Sequence, residues 1–223
     1  LKVFCQPIRL ISPHSSQRDN QLFEVLVRLI DKQGNAIKAS RFIQSVSSSR
    51  SLMWELDCWV FRKVFSFTNN SCVCYHVNVS GSTISNPRFV NFLRQCLKHS
   101  NFLPHQIHLE ITEQSSITNL TQINLIKQLG FIVGLDDFGS GYNSLIFLAQ
   151  IHPHFIKLDG IYSQNLKNQS YRAAAKFVLQ IAQELSIGLV AEWVDSEAIE
   201  QDLLSLKAEV APNLRLYGQG YFY

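Results

Sequence analysis

Apolar residues in this chain come in short runs, and six of those runs stop at an acid or an amide. They are LFEVL around Glu24, VCYHVNVS around Asn78, IHLEIT around Glu110, FIVGLDDF at Asp136 and Asp137, FIKLD at Asp159 and GLVAEWV around Glu192. Runs of this length, rich in β-branched and aromatic side chains, predict strands, and the stretches between them are long enough to hold helices. The first two strands, VFCQPIRLI and LFEVLVRLI, are expected to pair as a hairpin, the second closed by a D-K-Q-G turn at 31–34. Further strands are predicted up to Val79, up to Thr112, and over 131–135, 155–158, 187–191 and 214–222. Apolar residues at helical spacing predict helices from Ala39, over 52–67, over 87–99 with Pro87 at its start, over 117–129 closed by Gly130, and over 145–151, 171–185 and 196–207. Eight strands, most of the later ones separated by helices, is the count of a (β/α) barrel. In a barrel of parallel strands all C-terminal strand ends meet on one face, which carries the chemistry. Separated carboxylates would converge there.

Composition narrows the class without choosing a substrate. At 223 residues and 46% hydrophobic content the chain can bury one large core, so a single barrel domain over 1–223 is expected. A net charge of +3 without long basic runs gives no reason to invoke a nucleic-acid polymer or a membrane surface. The five cysteines, Cys5, Cys58, Cys72, Cys74 and Cys96, are odd in number and lack the paired spacing of a zinc site. They read as free thiols of a reducing compartment, with Cys72 and Cys74 a structural pair on one sheet face rather than a metal clip. No apolar stretch reaches membrane-span length and no signal segment opens the chain, so a cytoplasmic domain is expected. The start at Leu1 without an initiator Met, and the end on a hydrophobic run at Tyr223, suggest a piece of a longer signalling protein.

Several of the acids sit in informative company. Asp136 and Asp137 are followed by F-G-S-G-Y. Adjacent carboxylates repel, and divalent cations placed between them and other acids relieve the repulsion. The other reading is an Asp-Gly turn with one Asp capping the next helix, and both stay open at this point. Gly139 and Gly141 would let the following loop turn sharply and close over a ligand. Asn78 ends a buried strand, where an amide must find a partner, and its carbonyl oxygen suits a hard cation. Glu110 and Glu113 stand three apart where a strand passes into a loop, so one can bind metal while the other anchors the loop. Lys157, in an apolar strand two before Asp159, reads either as a salt bridge or as a lysine holding a phosphate or a developing hydroxide.

Taken in order, E-V-L at 24–26, V-N-V-S around Asn78, E-I-T-E at 110–113, D-D-F-G-S-G-Y at 136–142, K-L-D at 157–159, A-E-W-V-D at 191–195 and Q-G-Y at 219–221 resemble the EAL domain family over nearly the whole chain. The resemblance implies an α/β fold, a TIM-like (β/α)8 barrel with the first strand antiparallel to the rest. It implies a cyclic di-GMP phosphodiesterase of bacterial second-messenger signalling that yields linear pGpG by a two-metal in-line displacement, with two magnesium or manganese ions as cofactors and calcium inhibitory. By that pattern Glu24, Asn78, Glu110 and Asp136 hold one ion, and Asp136 bridges to a second held by Asp137 and Glu192. Lys157 and Gln219 position the attacking water, and Glu113 holds the loop at 139–142. Gln6, Arg28, Asp159 and Trp193 fall at substrate-contacting positions. A homodimer through the loop after Asp137 and the adjacent helix is also implied.

The chain departs from the family pattern in places. Val25 replaces the Ala of the name motif, a change toward the core. Trp193 stands where the family has Gly in A-E-G-V-E, and Asp195 where it has Glu. The helix entry P-x-x-F-I reads A-S-R-F-I, followed by Val46 and Ser47 in place of Ala-Glu. An active phosphodiesterase is one reading, since the ligand set and the D-D-F-G loop are both kept. A degenerate module that binds cyclic di-GMP or a protein partner without turnover is the other. A generic two-metal phosphoesterase on another substrate is disfavoured by Gln6 and Arg28. Trp193 could stack on a guanine, obstruct the pocket, or turn outward against a neighbouring helix.

Overall fold

The computed structural model describes residues 1–12, 21–112, 117, 119–141 and 144–223, with only the backbone of residue 144. Two compact units share the chain: Leu1–Gln6, Leu22–Ile111 and Ser115–Ile132 form the first, and Pro7–Gln21, Thr112–Gln114 and Val133–Tyr223 the second.

The chain opens with β1 (Lys2–Leu10), which belongs to the first unit up to Gln6 and to the second from Pro7, and with β2 (Gln21–Ile30), which lies in the first unit from Leu22. The D-K-Q-G turn forms as predicted: Asp31 Oδ1 accepts from the amides of Gln33 and Asn35 at 2.9 and 2.8 Å, and Gly34 takes a φ of +88°. It leads into β3 (Ala36–Lys38), antiparallel to β2 with Arg28 opposite Lys38. This ninth strand was missing from the sequence count because three residues are too few to show an alternation. Next come α1 (Ile43–Ser47), α2 (Arg50–Phe65), β4 (Val73–Asn78), α3 (Gly81–Ile84) and α4 (Pro87–Lys98). Helix α4 starts where Pro87 predicted it, because Pro lacks the amide that a first-turn position leaves unbonded anyway, and Asn86 Oδ1 caps the Arg88 amide at 3.0 Å. Its buried Phe89 meets Phe61 of α2 edge-on, centroids 5.3 Å apart, which fixes the two helices together. Strand β5 (Ile107–Thr112) runs parallel to β4, with His76 opposite His108 and Asn78 opposite Glu110. Helix α5 (Leu120–Gln128) begins three residues later than predicted and closes, as expected, at Gly130, whose φ is +92°.

In the second unit the elements are β6 (Ile132–Phe138), α6 (Ser144–Ile151), β7 (Phe155–Leu158), α7 (Gly160–Gln164), α8 (Gln169–Glu184), β8 (Gly188–Ala191), α9 (Glu197–Val210) and β9 (Leu216–Gly218). Strands β6 to β9 pair in parallel, Lys157 lying opposite Val190 and Ala191 opposite Gly218. Strand β1 runs antiparallel to β9, with Arg9 opposite Gly218. Hydrogen bonding links the strands in the order β5-β4-β2-β3 in the first unit and β1-β9-β8-β7-β6 in the second.

Three sequence expectations need correction here. The strand predicted over 131–135 continues through Asp136 and Asp137 to Phe138, so the acid pair is part of the sheet and not of the loop. The strand predicted over 214–222 contracts to three residues, because the chain turns away after Gly218 to let Gln219 meet the segment that follows β8. Helix α7, one turn started by Asp159, is too short for any periodicity to reveal. Among the described residues no helix is long and apolar enough to cross a membrane.

Candidate functional site

Strand alternation does most of the placing in the first unit. Glu24 is buried on β2 and accepts a hydrogen bond from Asn78 Nδ2 at 2.7 Å. That contact uses the amide nitrogen of Asn78, whose carbonyl oxygen is by its chemistry a hard acceptor. Glu110, opposite Asn78 across the β4–β5 pair, is fully buried. His76 Nδ1 lies 2.7 Å from Glu110 Oε1, and His76 Nε2 lies 2.9 Å from His108 Nδ1. Neither histidine figured among the predicted residues, although both stand two positions before a predicted ligand and therefore on its face of the sheet. The signal was there in H-V-N and H-L-E. Gln6 lies on β1 and Arg28 on β2, the latter donating from Nη1 to its neighbour's Val27 carbonyl at 2.9 Å. Glu113 and Tyr142 lie outside the described residues.

The second unit holds a denser group. In a regular strand Asp136 and Asp137 would point to opposite faces. Here the β6–β7 register slips: Leu135 pairs with Ile156 and Phe138 with Leu158, three steps against two. The extra residue is a β-bulge, and Asp137 takes a left-handed φ of +54°, a conformation that Asp tolerates better than most residues. The bulge turns both carboxylates to one side. Oxygens of Asp136, Asp137 and Glu192 lie within 4.8 Å of one another. Glu192 is held just past β8 by its amide, which donates to the Leu158 carbonyl at 3.1 Å.

Lys157 neutralises part of this group. It is 1% exposed, and its Nζ lies 2.9 Å from Asp136 Oδ1 and 2.8 Å from Glu192 Oε1. A lysine buried to this degree stays charged only beside anions, and these are ion pairs made within the sheet, not at the surface. Of the two readings of Lys157 the salt bridge is thus present, and it lies inside the acid cluster. Asp159 accepts from the Ile161 amide at 2.9 Å and caps α7. Helix α7 in turn carries Tyr162, whose hydroxyl donates to the Gly139 carbonyl at 2.7 Å and steadies the turn after the two aspartates. Gln219 is buried, and its backbone bridges two partners: its amide donates to Ala191, and its carbonyl accepts from Val194 at 3.0 Å. The Gln-Gly of the motif has a steric cause, since a Cβ on Gly220 would lie 2.2 Å from the Val194 carbonyl oxygen. Trp193 has a φ of +53°, is 52% exposed, and lays its indole on Gly160 at the start of α7.

Every donor atom in the Asp136, Asp137 and Glu192 group is a carboxylate oxygen. Such a set suits a hard divalent cation and not a soft one. The five cysteines are free thiols, Cys72 exposed and Cys74 buried, and none belongs to an acid group.

The EAL domain family model matches residues 1–223. The chain belongs to the EAL domain family. Among characterised relatives it is 29% identical over 231 residues to the cyclic di-GMP phosphodiesterase PdeB of Shewanella oneidensis, covering 99% of this chain and 26% of that protein. It is 26% identical over 223 residues to the cyclic di-GMP phosphodiesterase PdeF of Escherichia coli, covering 95% of this chain and 29% of that one. The chain thus spans little more than a quarter of the length of these relatives. Among solved structures, the EAL domain of FimX from Pseudomonas aeruginosa bound to c-di-GMP superposes with a TM-score of 0.86 at 20% identity, over 99% of this chain and 88% of that one. This EAL chain therefore has the α/β fold expected of it, a TIM-like (β/α)8 barrel with the first strand antiparallel to the rest.

Proposed function

We propose that this EAL domain hydrolyses cyclic di-GMP to linear pGpG with the help of two divalent cations. The observation that carries the reading is the bulge in β6, which turns two adjacent aspartates to one side with Glu192 where a plain strand would separate them. A bulge that gathers like charges is costly unless something positive is meant to sit there. Membership of the EAL family and the names of the relatives supply the substrate.

In this reading Glu24, Asn78, Glu110 and Asp136 hold one magnesium or manganese ion, and Asp136, Asp137 and Glu192 hold the second. When bound, such ions supply positive charge against the phosphodiester and acidify water. The chain's own residues do the rest. Lys157, flanked by Asp136 and Glu192, and Gln219 hold the attacking water in line with the scissile P–O bond. Glu113 anchors the loop after Asp137, the loop through which a homodimer would form. Gln6, Arg28, Asp159 and Trp193 contact the nucleotide.

The second reading, a receptor that binds cyclic di-GMP without turnover, is favoured by one feature only: Trp193 in a left-handed conformation beside Glu192. Incubation of the purified protein with cyclic di-GMP and magnesium, manganese or calcium, followed by chromatography of the nucleotides, separates the two. pGpG should form with magnesium or manganese, but not with calcium, with chelator, or in Glu24→Ala. Tight binding with no pGpG under any metal would establish the receptor. Full turnover by Glu24→Ala would remove the assigned ligand set.

A further inference from the structure

Glu110 is fully buried, and one of its oxygens is engaged at 2.7 Å by a ring nitrogen of His76, itself only 2% exposed. His76 is not an isolated neighbour. Its other nitrogen meets His108 Nδ1 at 2.9 Å, the two rings lie 4.5 Å apart between centroids, and His108 Nε2 lies 3.1 Å from the His105 carbonyl. The register explains the geometry. His76 and Asn78 share one face of β4, His108 and Glu110 share the same face of β5, and each pair stands directly opposite across the parallel ladder. Glu110 and His76 are thus diagonal neighbours on one face, at a separation that only a long side chain can bridge. The contacts run from the Glu110 carboxylate through two rings to a main-chain carbonyl near the surface. The Glu110 carboxylate is an acceptor, so His76 Nδ1 donates to it, and His76 Nε2 then accepts from His108 Nδ1.

We propose that His76, backed by His108, is a positioning residue for Glu110: it fixes the rotation of the carboxylate and so decides which oxygen is presented to a divalent cation. This rests on the reading of Glu110 as a metal ligand. A buried carboxylate without such a partner can rotate about its last bond, and every cation-binding event must then freeze it. Outer partners that orient a ligand in this way are worth about 10–100-fold in metal affinity. The competing account is that His76 and His108 merely satisfy each other in the core. The two accounts differ in what the Nδ1 donor is for.

Binding of manganese alone, followed by electron paramagnetic resonance in the absence of nucleotide, distinguishes them, with thermal unfolding in chelator as the control for folding. His76→Leu, of similar bulk but without a donor, should weaken manganese binding about 10–100-fold. The KM for cyclic di-GMP at saturating manganese should hardly move. His76→Asn, whose Nδ2 stands close to where the ring Nδ1 was, should recover the affinity to within a few-fold. His108→Phe keeps a ring against His76 and removes its hydrogen bond, and should cost a few-fold. Unchanged manganese affinity in a folded His76→Leu, or a His76→Asn no better than His76→Leu, overturns the proposal. If His76→Leu does not fold, His76→Asn and His108→Phe decide it, and parent-like affinity in His108→Phe together with a loss in His76→Asn overturns it. Glu110→Ala measured alongside tests the underlying reading separately: parent-like manganese binding there removes Glu110 as a ligand whatever the histidine variants do.

Discussion

Trp193 lies so close over Gly160 that a methyl group on the glycine would stand 2.2 Å from the indole. The contact joins the segment after β8 to the first turn of α7, and it holds Trp193 in a left-handed conformation at a position where the EAL family has glycine. A left-handed φ costs an ordinary L-residue roughly 1–2 kcal/mol, and glycine nothing. Trp193→Ala keeps that strain and loses the packing, whereas Trp193→Gly loses both. Trp193→Gly should therefore be more stable than Trp193→Ala by about 1 kcal/mol in urea unfolding, and equal midpoints would show that the backbone there is relaxed. Gly160→Ala should be destabilising in the parent and nearly neutral in the Trp193→Gly background, a coupling that a double-mutant cycle reads directly.

Gly220 and Gly34 offer a contrast between crowding and conformation. A Cβ on Gly220 would meet backbone atoms of Val194 at 2.2–2.5 Å, whereas one on Gly34 meets nothing within 4 Å and only its φ of +88° is at stake. Backbone bonded on both sides, as Val194 is to Gln219 and Phe222, cannot step aside as a side chain can. Gly34→Ala should cost about 1 kcal/mol. Gly220→Ala should cost more, about 1–3 kcal/mol or beyond, and should displace Gln219, so stability and hydrolysis should fall together. The reverse order of stabilities would contradict the close approach.

Lys157 Nζ lies 2.9 Å from Asp136 and 2.8 Å from Glu192. Removing one partner of a buried ion pair typically costs about 3–5 kcal/mol, because the remaining charges are left uncompensated. Lys157→Met should lower the melting temperature sharply in chelator. Magnesium or manganese should return much more of that loss than either adds to the parent, since the cation then supplies the missing positive charge. A Lys157→Met protein as stable as the parent in chelator would show that the pair contributes nothing.

Asp57, buried on α2, accepts from the Ser80 hydroxyl at 2.6 Å and the Ser80 amide at 3.2 Å. Burial outweighs these hydrogen bonds and holds its carboxyl above the ordinary carboxylate range. A carboxyl whose folded pKa is raised favours the folded state fully below the unfolded pKa, near 3.9, and loses that contribution as pH rises through the folded value. Above the ordinary carboxylate range this group therefore disfavours the folded state. Asp57→Asn, which keeps an acceptor toward Ser80 without the charge, should be at least as stable as the parent at pH 7. Its advantage should shrink as pH falls, and thermal unfolding from pH 7 to pH 4 should show the two curves converging. A widening gap at low pH would reverse the sign of the assignment.

The sequence was enough for the fold class and the family. Strand-length apolar runs ending in Glu24, Asn78, Glu110, Asp136, Glu192 and their neighbours carry their own periodicity, and ordered motifs survive wherever backbone and chemistry leave few substitutes. Turns and helix starts announced themselves too, in D-K-Q-G and at Pro87, because their signals are local. Short elements did not: β3 and α7 are too brief for a period to be counted.

Local pattern alone fixed which face His76 shares with Asn78 and His108 with Glu110, since alternation is a property of the strand. It could not say that the His76 ring reaches diagonally to Glu110, which depends on the register between β4 and β5. Nor could it choose between a metal pair and a capped turn at Asp136 and Asp137. A plain strand would have sent those two carboxylates to opposite faces, and only the extra residue against β7, a property of two strands paired in space, brings them together with Glu192. The place of Trp193 over Gly160 was likewise undecidable from the chain, because the glycine that makes room for the indole lies 33 positions earlier and meets it only once α7 and the end of β8 are folded.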